Sequence, residues 1–270
     1  MQNIDPLYIL EPLVVIALSV ALILYWKFSG RSFTRYALIF SLVAYAGAII
    51  IKILFQLLTV NAVQSAFGSE SIATGLYYGL QTVFFEVGGA FIIARYAISR
   101  KRLSEKDAGA YGIALAFWEN GVYLGIFSLI SVISIYAVLA VGPATTAQQV
   151  YNALQTGQSS LFDPPSKALP LVGFGILERI SSILVHCAWG YLVVLAVLYK
   201  RNSYLAAALP MGLIDFFVPF ANVLGIATFE GIVFLFSLAS LFIAISIGRE
   251  LPKNPTPETM TPMTGVTSSP

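Results

Sequence analysis

At 270 residues, with 58% hydrophobic and only 10% charged, this chain departs from a water-soluble domain, in which about a quarter of residues carry charge. The formal net charge of +2 gives no basis for nucleic-acid binding, because the basic residues gather in short connections between apolar stretches. The single cysteine, Cys187, excludes an intrachain disulfide framework.

Seven apolar stretches follow in chain order, at roughly 8–27, 36–60, 72–98, 110–141, 170–199, 203–223 and 227–247. Each holds enough apolar residues to cross a hydrocarbon core about 30 Å thick. The first follows Asp5 without a basic run, so it reads as a retained helix and not a cleaved signal. The fourth and fifth run long, which implies tilt or helical extension. The connections alternate in charge. Lys27, Arg31 and Arg35 follow the first stretch, Arg100, Lys101, Arg102 and Lys106 the third, Lys200 and Arg201 the fifth, and Arg249 and Lys253 the seventh. The opposite connections carry only Lys167. Short basic loops stay cytoplasmic.

The expected fold is therefore all-α: a polytopic membrane helix bundle of seven transmembrane helices, N-terminus outside and C-terminus cytoplasmic, in the cell membrane. Residues 1–248 form the membrane domain. Residues 142–168 form an extracytoplasmic loop with a short helix at 146–155. The Pro/Thr/Ser-rich residues 249–270 form a disordered cytoplasmic tail.

Ionisable side chains are costly in hydrocarbon and normally face the bundle interior or water. Counting residues from the basic ends puts Glu86, Glu119, His186 and Asp215, on four consecutive stretches, about 14–20 Å above the cytoplasmic ends. His186 with carboxylates suits zinc or another divalent ion, and a spare carboxylate can serve as base to a metal-bound water. The same residues also suit a polar packing layer or a proton or ion path. Lys52 sits somewhat above the four. Glu11 and Glu230 are expected at the outer interface, and Arg95 is expected to snorkel to the inner one. Glu178 and Arg179 lie higher on the fifth stretch, and neighbours on a helix point about 100° apart. Arg179 is thus expected to reach a group on another span, as a structural side chain. Gly88, Gly89, Gly173 and Gly175 are expected at close helix contacts. Pro210 and Pro219 are expected to kink the sixth stretch around Asp215.

The stretch Phe84–Gly88 resembles the first motif of YhfC-type membrane proteins, which are themselves similar to the PrsW and CAAX-prenyl-protease superfamily of intramembrane metalloproteases. Tyr111 to Glu119, continued by Asn120, resembles the second motif. Leu177 to His186 resembles the third, ERxxAxxxH, and Met211 to Asp215 the last, HxxxD. Order and spacing agree over about residues 72–225. The resemblance implies catalytic roles for Glu86 and Glu119, a metal held by His186, Asp215 and Glu119, and supporting roles for Glu178, Arg179 and Asn120. The sequence departs from the pattern where Phe85 replaces a glutamate, Gly89 an arginine, and Leu115 and Met211 each a histidine. These departures imply an altered site.

Three functions are consistent with this reading. The first is an intramembrane metalloprotease-like protein, possessing a divalent metal such as zinc or catalytically degenerate. The second is a non-catalytic membrane scaffold that binds transmembrane segments of other proteins, resembling the gamma-secretase scaffold subunit. The third is an ion- or proton-coupled transporter. The lipid bilayer is the expected partner, and nucleic acid is not.

Overall fold

The computed structural model describes residues 3–250. Among them there is no strand, and seven helices are long and apolar enough to cross a membrane: Pro6–Phe28, Arg35–Phe67, Ile72–Ser99, Glu105–Val141, Pro165–Leu198, Asn202–Leu224 and Ile226–Arg249. Local chemistry sets their ends. Thr34 and Ser71 cap the second and third spans by accepting from the amides of Ala37 and Thr74, which satisfies donors that a helix start leaves free. Ser104 and Asp107 form a reciprocal capping box at the fourth. Pro165 opens the fifth, where a missing N–H costs nothing. Gly68 closes the second at φ 85° and Gly225 separates the sixth from the seventh at φ 75°, angles that favour glycine.

The second, fourth and fifth spans are longer than the apolar runs suggested, because polar caps and amphipathic turns extend the helices past the hydrocarbon-length segment. The second has 33 residues, about 50 Å at 1.5 Å per residue. The loop helix is Ala144–Gly157, and with Phe162 it covers Ile4 and Leu139 in a small apolar cluster. Of the expected tail, residues 251–270 lie outside the described residues, and Arg249 ends the seventh helix.

The fifth span is the centre of the bundle. Within its most apolar window 67% of residues are buried, against 39% or less in every other span. It packs on the fourth and seventh, while the third packs on the sixth and the second on the third and fourth. Small residues permit these approaches. A methyl group at Gly190 would fall 2.5 Å from the Cα of Gly112, so the fourth and fifth spans cross backbone to backbone. Gly75 and Gly79 fit against Phe216 in the same way, and Gly212 against Val83. Of the four glycines expected from sequence, Gly175 makes such an approach, an added methyl falling 2.5 Å from the Glu11 carboxylate of the first span, whereas Gly173 faces open space, Gly89 has ordinary contacts and Gly88 meets only its own helix. Outward-facing side chains such as Leu57, Leu58 and Phe242 are exposed, as a surface solvated by lipid requires.

Candidate metal centre

Three of the four spans that carry the site leave α-geometry where their acidic residue sits. Glu86 lies in a π-helical stretch, Thr82–Val87, and Glu119 in another, Phe117–Ile126. Such widened turns concentrate at functional sites. Asp215 lies in a 3₁₀ stretch, Leu209–Phe220, which includes Pro210 and Pro219; proline removes an N–H and breaks the α-helical ladder. His186 alone sits on regular α-helix.

These elements line a cavity of about 200 Å³ that contains all four residues together with Lys52, Thr82, Glu178, Arg179 and Ser182. At its base, Glu86, Glu119 and His186 each offer a ligand atom within 4.8 Å of the others. His186 is 4% exposed and Glu86 9%. The imidazole Nδ1 lies 2.9 Å from the carbonyl of Ser182. A carbonyl only accepts, so Nδ1 carries the hydrogen and a neutral ring turns a bare lone pair outward at Nε2. That lone pair meets Glu119 Oε2 at 2.5 Å and lies 3.4 Å from Glu86 Oε2. The short contact is at ion-pair distance, yet both atoms lack a hydrogen-bond partner. With the ring neutral, two buried acceptors converge without a donor, an arrangement that a shared cation would complete.

Around this pair the chain holds each group by a second contact. Asn120 donates to the Ser182 hydroxyl at 3.0 Å, and that hydroxyl donates to Glu119 Oε1 at 3.3 Å. Trp189 packs its ring 4.1 Å from the imidazole. Lys52 places its ammonium 2.5 Å from Glu86 Oε1, 2.7 Å from Asp215 Oδ2 and 2.7 Å from Thr82 Oγ1. Asp215 therefore joins the constellation through Lys52, while the convergent ligand group consists of Glu86, Glu119 and His186.

The cavity's charges also suit a cation. Lys52 and Arg179 face Glu86, Glu119, Glu178 and Asp215. With a neutral imidazole, the lining carries an excess of two negative charges, the amount one divalent ion would offset. Buried charges need such compensation.

Two expectations need correction. Among the described residues, the direct ion pair of Arg179 is with its neighbour Glu178, and the carboxylates of Glu11, Glu119 and Glu230 on other spans interact with its charge without such a contact. The long guanidinium stem spans the angular offset, because both side chains turn into the same cavity. Glu230 is not interfacial. It is fully buried, and neither carboxylate oxygen has a hydrogen-bond partner, because the seventh span packs closely on the fifth. Glu11 is half-buried against Gly175.

Lys52 lies above Glu86, Glu119, His186 and Asp215 by residue count, yet its ammonium joins them. On the second span, which starts at the basic side, the Cα–Cβ bond tilts back toward the helix start. A long side chain therefore drops from its backbone level into the layer of the acids. A lysine inside an apolar run is itself the signal that could have placed it there.

A family model described as YhfC intramembrane metalloprotease matches residues 14–236. No curated protein and no solved structure matches the chain.

Proposed function

Because the chain belongs to the YhfC intramembrane metalloprotease family and is a multi-pass membrane protein, we propose that it is a metal-dependent peptidase acting on peptide bonds within the membrane. The carrying observation is the unpartnered convergence of His186 Nε2 and Glu119 Oε2 beside Glu86. Glu119 and His186 would hold a divalent ion, zinc among the candidates, with Glu86 beside it. Such an ion, when bound, supplies Lewis acidity that polarises a carbonyl and acidifies water.

The chain's own residues do the rest. The Ser182 carbonyl fixes the imidazole tautomer, and the Ser182 hydroxyl steadies Glu119. Lys52 holds Glu86 by direct contact and ties Asp215 in place. Glu86 Oε2 then serves as proton acceptor. Water adds to the peptide carbonyl carbon and gives a proton to Glu86, which hands it to the amide nitrogen as the C–N bond breaks. The products are a carboxylate and an amine. The apolar walls, including Ile49, Val185 and Ile214, limit competing water and strengthen the electrostatics. By its depth along the spans, this chemistry takes place near the middle of the membrane.

The test is elemental analysis of the purified chain in detergent. The expectation is about one divalent ion per chain, lost in His186→Ala while the fold is retained. A wild-type protein free of metal after equilibration with zinc and manganese would remove this reading and favour the scaffold.

A further inference from the structure

We propose that the Lys52 ammonium stands in the place of a second cation, so that the cavity takes one divalent ion and not two. The inference rests on the metal-dependent reading above and goes further, assigning a separate all-oxygen pocket. Three oxygens from two other spans surround Nζ: Glu86 Oε1 at 2.5 Å, Asp215 Oδ2 at 2.7 Å and Thr82 Oγ1 at 2.7 Å. They satisfy the three N–H donors of an ammonium, a compact point charge on a flexible stem. Thr82 in turn donates to Asp215 Oδ2 at 2.6 Å, which fixes that carboxylate against the third span. Lys52 is 9% exposed, so the ammonium itself is buried.

Glu86 is shared between the two halves. Its Oε1 belongs to Lys52 and its Oε2 faces His186. The lysine thus divides the acids into an ion-paired set and a set open to metal. Were Lys52 neutral, Glu86 Oε1, Asp215 and Thr82 would form a hard-oxygen site of the kind that suits Mg²⁺ or Mn²⁺. Two such ions bridged by one carboxylate would be a different catalytic arrangement from the single-ion site the wild-type chain presents. Lys52 is in this sense a positioning residue: it acts on the site by occupying oxygens, without needing to touch substrate.

Mn²⁺ binding to the full-length chain in detergent tests this, with bound metal counted after desalting and the fold checked by thermal melting. Wild type and Lys52→Arg are expected to hold about one Mn²⁺, Lys52→Met about two, and Lys52→Met/Asp215→Asn about one again. Adding His186→Ala to Lys52→Met should leave the Asp215-dependent ion alone. A folded Lys52→Met that still holds one ion overturns the proposal, as does a wild type that holds two. Should Lys52→Met fail to fold, Lys52→Gln/His186→Ala decides: one Mn²⁺ at the Asp215 pocket supports the proposal, and a folded variant with none contradicts it. A wild type with no ion defeats the peptidase reading itself, an outcome distinct from all of these.

Discussion

Ser182 makes the closest link between sequence and chemistry. One turn before His186, its carbonyl accepts a hydrogen bond from the imidazole Nδ1–H and its hydroxyl reaches Glu119. Partners of metal-binding side chains typically contribute 10–100-fold in affinity. Ser182→Ala should therefore lower affinity for Zn²⁺ about 10-fold in a competition titration, with little change in melting temperature. An unchanged affinity would show that the hydroxyl orients nothing. Glu230 gives a contrasting expectation. A buried carboxylate without partners costs stability, so Glu230→Leu should leave the melting temperature equal or higher. A marked fall would reveal an unrecognised role for the acid. At this scale the sequence was informative wherever depth along a helix was enough. Glu86, Glu119 and His186 share a level, and the structure brings their ligand atoms together. It was uninformative where a side chain is long, as at Lys52, or where a neighbouring helix covers an apparently terminal position, as at Glu230.

Helices deviate from regularity where the site is built. Hydrophobic periodicity cannot distinguish a π-stretch from an α-helix, so the widened turns under Glu86 and Glu119 had no counterpart in the sequence pattern. The irregular sixth span did, through Pro210 and Pro219. Helix crossings were harder still. Glycine marks the potential for close approach, but only the rotation of each helix decides which glycine meets a neighbour; Gly112 and Gly190 do, and Gly173 does not. Gly190→Leu should push the fourth and fifth spans apart and cost about 1–3 kcal/mol or more, read as a lower melting temperature. Gly173→Leu, facing open space, should be near neutral. Equal effects from the two would refute the crossing.

Across the whole molecule, composition and apolar run length made the seven-span architecture legible, because a bilayer of fixed thickness leaves few alternatives. The distribution of lysine and arginine supports an N-out arrangement. Single cysteines introduced at Gln158 and Ser203 in a Cys187→Ser background test it. The first should react with an impermeant maleimide from outside intact cells and the second only after lysis; the reverse pattern would invert the topology. The central claim, however, concerns a cation held by His186 with carboxylates between the third, fourth and fifth spans. X-ray absorption at the zinc edge on the purified, zinc-equilibrated chain tests it most directly. The account predicts oxygen and nitrogen donors at about 2.0–2.2 Å, no sulfur, and an imidazole signature that disappears in His186→Ala. A sulfur shell, or an imidazole signature that survives that substitution, would contradict it.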